Sequence, residues 1–171
     1  MPVPLLRPFA ALRPAPDHAA EVAAPPYDVL SSEEAREQAD GKPWSFLHIS
    51  KAEIDLPEGT DPYDPQVYAT AAANLSRLVE AGVLRKDAKP CYSVYRLTMG
   101  DHVQTGLVGG GSVAAYDVGR IKKHEFTRPV KEDDRVRQIE ALNAQTGPVF
   151  LVYRATPAID AVLAAVSAAP G

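Results

Sequence analysis

Hydrophobic and polar positions along the chain predict helices in four segments, each marked by its spacing or by a cap. Ser31 and Glu34 have the spacing of a capping box at the start of the first segment. Asp64 and Pro65 stand as the cap and first residue of the second, which ends at Gly82. The four predicted helical segments are residues 31–40, 65–82, 129–144 and 157–169.

Strand patterns lie between these helices. The run "FLHIS", residues 46–50, has the length and composition of a buried strand, and "PVFLVYR", residues 148–154, is a second strongly apolar strand. Residues 91–113 predict a hairpin that turns at Gly100 and Asp101. Because strands and helices mix without a regular βαβ order, the expected class is α+β, with a mixed or antiparallel sheet and flanking helices. The proline-rich first thirty residues should form an extended surface segment.

Length, charge and cysteine content exclude several kinds of protein. The 171 residues suffice for one domain with a hydrophobic core. A net charge of -4 argues against nucleic acid as a partner, since binding a phosphate backbone needs a broad basic face. No apolar run reaches the ~18 residues of a membrane span. Cys91 is the only cysteine, which precludes an internal disulfide and fits a reducing cytoplasm.

A cluster of positive charge interrupts this acidic chain in "GRIKKHEFTRPVKEDDR", residues 119–135. Between Arg120 and Lys131 five cations accompany one carboxylate, Glu125, so this part carries a formal charge of +4. It directly precedes the helix predicted from Pro129, whose N-terminal amides and dipole also favour an anion. The sequence therefore predicts a site for a phosphate or carboxylate group.

The helix predicted over residues 129–144 carries two charges on its apolar side. At about 100° per residue, Val136 and Ile139 share one face, and Glu132 and Arg135 fall on the same side. Charges facing a core are costly unless paired, so these two form either a buried ion pair or the wall of a cleft. The residues of this helix that are expected to point elsewhere are Asp133, Asp134, Arg137 and Glu140.

The glycine run in "GLVGGGSVA" partly matches a dinucleotide-binding fingerprint. No clear helix opens after it, and no acidic partner stands at the expected place. We therefore expect a bulged strand, or one that another group approaches closely. A separate turn, "APPYDVLS", presents Tyr27 and Asp28 after two prolines, either as a simple turn before the helix cap or as a site wall.

Five blocks of the chain, taken together, are more distinctive than any single motif. They are "RPFAALRP", "VAAPPYDVLSSEEAR", "SFLHISKAEIDLP", "IKKHEFTRPVKEDDR" and "NAQTGPVFLVYR". Together they resemble the bacterial domain-of-unknown-function 1015 family, in the family's order and over nearly all of the chain. The resemblance implies that this chain is the N-terminal portion of a longer protein, with an Asp-Gly-His-His-Arg motif to follow. That motif is similar to one in the sulfiredoxin and partition-protein-B-like superfamily, which includes free-serine kinases. The implied activity is a nucleotide-dependent phosphotransferase, with ATP or ADP and Mg²⁺ as cofactors.

The resemblance and the charge cluster together select the candidate site residues. The catalytic candidates are Glu125, as base for an acceptor hydroxyl, and His124. The candidates for binding phosphate or substrate are Lys122, Lys123, Thr127, Arg128, Lys131, Glu132, Arg135, Tyr27, Asp28 and Asn143. Asp133 and Asp134 are the candidates for Mg²⁺.

Two other functions fit the same residues. One is a module that binds a nucleotide or a small anionic metabolite without transforming it. The other is a structural domain whose positive cluster docks an acidic partner. The sequence leaves these alternatives and the oligomeric state open.

Overall fold

Each of the four predicted helical segments contains a helix, and three shorter helices lie outside them. In a computed structural model, which describes residues 4–124 and 126–168, the α-helices are α1 (Ala19–Val22), α2 (Ser32–Ala39), α3 (Leu47–Ser50), α4 (Pro65–Glu80), α5 (Val113–Asp117), α6 (Pro129–Leu142) and α7 (Pro157–Ala168). The strands are β1 (Leu6–Arg7), β2 (Leu12–Pro14), β3 (Leu84–Lys86), β4 (Ser93–Met99), β5 (His102–Val108) and β6 (Gly110–Gly111). Short 3₁₀ turns span Pro16–His18, Tyr27–Val29 and Ala52–Asp55.

The caps predicted for α2 and α4 are confirmed. Ser31 Oγ accepts from the Glu34 amide while the Glu34 carboxylate accepts from the Ser31 amide, which completes the capping box. The Ser31 amide, and after it the Ser31 hydroxyl, lower the pKa of Glu34 by hydrogen bonding to its carboxylate. Asp64 accepts from the amide of Gln66, and Gly82 ends the α4 segment with a φ of 73°, which favours glycine.

The hairpin and the α+β class are also confirmed. β4 and β5 pair in antiparallel register from Ser93 opposite Val108 to Met99 opposite His102. β1 pairs antiparallel with β6, and β2 pairs with β3. The glycine run is explained by close approach, because a Cβ at Gly109 would lie 3.0 Å from the Tyr92 ring. The expectation that no helix opens after this run was wrong, because α5 begins there with Ser112 as its cap.

Two predicted strands are wrong. Residues 46–50 form a helical turn instead, closed by bonds such as the Ser50 amide to the Phe46 carbonyl at 2.9 Å. Buried Leu47 and Ile49 alternate with half-buried His48 and Ser50, a pattern that also fits a strand, and five residues are too few to reveal a helical period. Residues 148–154 form no strand, and the side chains of Val149–Tyr153 stay substantially exposed.

The chain divides into two compact units. Unit 1 comprises residues 4–11, 86–124 and 149–168 of the described chain, and unit 2 comprises Leu12–Arg85 and Phe126–Pro148. Within unit 1, α7 packs on the β4–β5 hairpin. Among the described residues, only Ala115 and Leu163 of unit 1 are buried apolar residues.

The hydrophobic core lies in unit 2. Its main cluster joins α3, α4 and the end of α6, and its largest fully buried side chains include Ile49 and Leu78. A second cluster packs α2 against α3 around Ala35 and Leu47. The core thereby sets α6 against α4, and this contact forms the site described below. No helix in the described part of the chain combines the length and the apolar character that crossing a membrane would take.

Candidate functional site

A cleft of about 120 Å³ opens in unit 2 between α6, the first turns of α4 and the segment that follows α3. Its floor is apolar, with Ile49 from α3 and Val67 from α4. Charged and aromatic side chains form its walls. They are Tyr27, Lys51, Glu53, Tyr63, Tyr68, Lys131, Asp134 and Arg135.

The face that α6 turns inward is not the predicted one. Asp134 and Gln138 are buried, whereas Val136 and Ile139 are 48% and 38% exposed, so the predicted orientation was wrong. Hydrogen bonds explain the difference: the Tyr68 hydroxyl donates to Asp134 at 2.9 Å, and the Gln138 amide group donates to the Ile49 carbonyl at 2.9 Å. The helix is therefore oriented by polar contacts that apolar periodicity cannot reveal.

Asp134 is the centre of a buried polar network. It accepts from Tyr68 through Oδ1 and from Arg135 through Oδ2, at 2.7 Å from Nη2 and 3.1 Å from Nε. Burial and then the bond to Asp134 raise the pKa of Tyr68 to about 12. Asp134, predicted as a magnesium ligand, thus has both oxygens engaged by protein donors.

Two cations of α6 reach the cleft, each beside a tyrosine ring. The Arg135 guanidinium lies 4.2 Å from the centre of the Tyr27 ring, and Lys131 Nζ lies 5.6 Å from that of Tyr63. A hydrogen bond with Tyr63 is the main cause that raises the pKa of Lys131, so the ammonium form is favoured. Among the described residues no carboxylate lies within ion-pair distance of Lys131.

The opposite wall comes from the turn after α3. Lys51 and Glu53 are both nearly buried and pair at 2.9 Å, and Glu53 also accepts from the Ser32 hydroxyl at 2.8 Å. The guanidinium of Arg36 holds this turn by donating to the carbonyls of Glu53, Ile54 and Leu56. Ser50 adds a hydroxyl whose oxygen is inaccessible and has no hydrogen-bond partner in the described structure.

The charges of the cleft leave a positive excess. Lys51, Lys131 and Arg135 supply three cations, and Glu53 and Asp134 supply two carboxylates, a formal sum of +1. Because each carboxylate already has a cationic partner, Lys131 is the group left to attract an anion. A cleft of about 120 Å³ has room for several water molecules, and therefore for one phosphate or carboxylate group.

Several predicted site residues lie elsewhere. Thr127 donates to Glu132 at 2.5 Å, and both side chains are exposed at the start of α6. Asp133 pairs with Arg137 at 2.7 Å on the exposed side of the helix. These residues do not line the cleft.

Two further predicted site residues, Arg128 and Asn143, lie at opposite ends of α6. Arg128 is the exposed N-cap residue, and Pro129 contributes no amide proton for an anion. Asn143 is the C-cap residue, with a φ of 48°, and at 1.5 Å per residue it lies roughly 18 Å along the axis from Lys131. One small ligand cannot contact both Asn143 and Lys131.

Of the five remaining candidates, three belong to unit 1, one belongs to unit 2 and one lies outside the described residues. Lys122, Lys123 and His124 belong to unit 1 and are exposed, with Lys123 Nζ 4.8 Å from the centre of the Tyr116 ring. Asp28 is exposed beside Tyr27 and does not line the cleft. Glu125, the predicted base, lies outside the described residues, and its role stays a prediction.

Sequence reasoning missed the wall formed by Lys51 and Glu53 and the role of Tyr68. A signal was present for Tyr68, which lies on the same helical face as Ala71 and Leu78, both core residues. A tyrosine that faces a core usually has a buried partner for its hydroxyl, which here is Asp134. Lys51 and Glu53 offer no such signal, because nothing in their spacing connects them with α6, about 80 residues further along the chain.

The comparisons with known proteins identify the family. The model of the family DUF1015, described as "Protein of unknown function (DUF1015)", matches residues 6–170, and the chain therefore belongs to this family. No curated protein and no solved structure matches the chain.

Proposed function

We propose that this member of the DUF1015 family binds the phosphate or carboxylate group of a small ligand in the cleft beside α6, and that binding positions the ligand for phosphoryl transfer. The supporting observation is the excess of cations in a confined space: Lys131 faces the cleft without a carboxylate partner among the described residues, next to Arg135. An oxyanion at this place would replace water around the Lys131 ammonium and around the Arg135 guanidinium, which Asp134 already holds, so Arg135 needs little reorganisation.

The catalytic part of the proposal concerns transfer from a nucleotide to a small hydroxyl compound. The bond between the terminal phosphorus of ATP and its bridging oxygen breaks, a bond from phosphorus to the acceptor oxygen forms, and ADP leaves. The acceptor proton passes to a base, for which Glu125 is the candidate. Mg²⁺ bound to the nucleotide would neutralise charge on the phosphates. Positioning and charge neutralisation supply most of the catalysis in such reactions.

The alternative is a binding module without chemistry, and the size of the cleft favours it. Pockets for complete small-molecule ligands typically measure about 300–1,000 Å³, so a cleft of about 120 Å³ can enclose only one charged group of a nucleotide. A small anionic metabolite would fit this volume without further residues.

Isothermal titration calorimetry tests the binding step directly. The wild-type chain is titrated with inorganic phosphate, ADP and ATP with Mg²⁺, and compared with Lys131→Gln and with Lys89→Gln, an exposed lysine of unit 1 as matched control. We expect Lys131→Gln to weaken binding by roughly tenfold, about 1.4 kcal/mol, and Lys89→Gln to bind as the wild type does. The wild-type affinity should fall with added salt, as for any partly exposed ionic contact.

Phosphorus NMR separates the two functions. Appearance of a phosphate ester from ATP and a hydroxyl compound, lost in Glu125→Gln, supports the phosphotransferase. Ligand binding without a new phosphorus signal supports the binding module. Equal affinities of the wild type and Lys131→Gln for every ligand would rule out the cleft as the site.

A further inference from the structure

We propose that Tyr68 is a positioning residue for Arg135, acting through Asp134, and that Arg135 recognises a ligand group with two coplanar oxygens. This inference rests on the proposed anion-binding function of the cleft. It states which class of anion the site binds selectively and which buried hydrogen bonds cause that selectivity.

The hydrogen bonds that Arg135 makes within the protein determine which of its N–H groups remain for a ligand. Its Nε and Nη2 donate to the same oxygen, Asp134 Oδ2, at 3.1 and 2.7 Å. No other acceptor for this guanidinium lies among the described residues, so both hydrogens of Nη1 and the second of Nη2 remain available. One hydrogen from Nη1 and the free one from Nη2 form the end-on edge of the group, two parallel N–H donors that match two oxygens of one phosphate or carboxylate.

Two contacts fix the plane in which this edge lies. The Tyr27 ring covers one face of the guanidinium at 4.2 Å. Asp134 holds its other edge and is itself held by the Tyr68 hydroxyl at 2.9 Å, which engages the oxygen that Arg135 leaves free. Without the bond from Tyr68, the carboxylate of Asp134 can rotate about its last torsion, and the fork of Arg135 loses its fixed direction.

The ligand class follows from the donor arrangement. A spherical anion such as chloride offers a single acceptor atom, which two parallel donors must share in bent hydrogen bonds, whereas phosphate and carboxylate place a separate oxygen in line with each donor of the free edge. The cleft should therefore prefer inorganic phosphate and acetate to chloride. Lysine in place of Arg135 keeps the charge but offers a point donor, so it should remove the preference while leaving attraction to chloride.

The test measures Kd values of the full chain for inorganic phosphate, acetate and chloride at constant ionic strength, by NMR titration. The variants are Arg135→Lys, Tyr68→Phe, their double mutant, and Tyr95→Phe as an exposed control in β4. We expect phosphate binding to weaken roughly tenfold in Arg135→Lys and roughly three- to tenfold in Tyr68→Phe. In the Arg135→Lys background, Tyr68→Phe should change affinity by less than about twofold, because its effect passes through the guanidinium. Tyr27→Leu, which removes the stacked ring, serves as a second variant should Tyr68→Phe fail to fold.

The outcomes separate this inference from the function on which it rests. If the wild type prefers neither phosphate nor acetate to chloride, the proposed anion site itself fails. If the wild type prefers phosphate but Tyr68→Phe weakens it equally in both backgrounds, the anion site stands and the positioning role is wrong. The stronger of the phosphate and acetate responses identifies which group the natural ligand carries.

Discussion

Alkaline pH should destabilise this protein through a single buried hydroxyl. Tyr68 is 6% exposed, and its hydroxyl donates to Asp134 at 2.9 Å. Burial and this bond raise its pKa from 10.0 to about 12. Deprotonation within the fold would place a phenolate against a carboxylate with little water to separate them, so we expect the folded state to resist it.

The sign and size of the effect follow from the raised pKa. A group that is harder to deprotonate in the folded state stabilises the fold in full below the unfolded pKa of about 10. This stabilisation is lost as pH rises through the folded pKa of about 12. A shift of about two units at 1.36 kcal/mol each amounts to about 2–3 kcal/mol of unfolding free energy. That is a large share of the ~5–15 kcal/mol typical of a folded protein.

Urea denaturation between pH 8 and pH 11.5 measures this loss against Tyr68→Phe, which cannot titrate. The wild type should lose about 2 kcal/mol more than the variant across this range. Tyr95→Phe, a change at an exposed tyrosine, should follow the wild type. Parallel pH profiles for the wild type and Tyr68→Phe would mean that the hydroxyl is not held as described, and the network around Asp134 would have to be redrawn.

Three further predictions concern the fold. Leu78→Ala removes a fully buried side chain of α4 and should lower the unfolding free energy by about 2–5 kcal/mol in urea titrations, whereas Val79→Ala, at an exposed neighbour, should cost under about 1 kcal/mol. Ser31→Ala removes the cap of α2 and should cost about 1 kcal/mol, and an equal melting temperature would exclude the capping box as a contributor. In hydrogen exchange, amides of the β4–β5 hairpin should exchange faster than those of α4, because this two-stranded pair has few buried side chains, and equal protection would contradict the burial pattern.

Local signals made much of the fold predictable. The caps at Ser31 and Asp64 and the hairpin turn at Gly100 depend on residues within a few positions of one another, so the sequence contains the whole interaction. The strand predicted over residues 46–50 was wrong because these residues form one helical turn. A run of five residues is too short for a helical and a strand period to be told apart.

The site was predictable only in part, because its two walls are far apart in sequence. Lys131, Arg135 and Tyr27 were proposed from charge, helix pattern and resemblance, and they line the cleft. Lys51 and Glu53 lie about 80 residues before α6, and no spacing rule connects them with it. Hydrogen bonds between distant segments, such as Tyr68 to Asp134, become visible only in three dimensions.

The orientation of α6 shows what the site costs in stability. Full burial of a valine or isoleucine is worth about 1.5–3 kcal/mol, so leaving Val136 and Ile139 partly exposed forgoes roughly 1–3 kcal/mol for the pair. Rotating the helix to bury them would break the bonds of Asp134 and Gln138, each worth about 1 kcal/mol or more. The two arrangements are close in energy, so packing alone does not decide between them. The observed orientation keeps Asp134 bonded to both Tyr68 and Arg135 beside the cleft, so the same buried bonds hold the helix and shape the site.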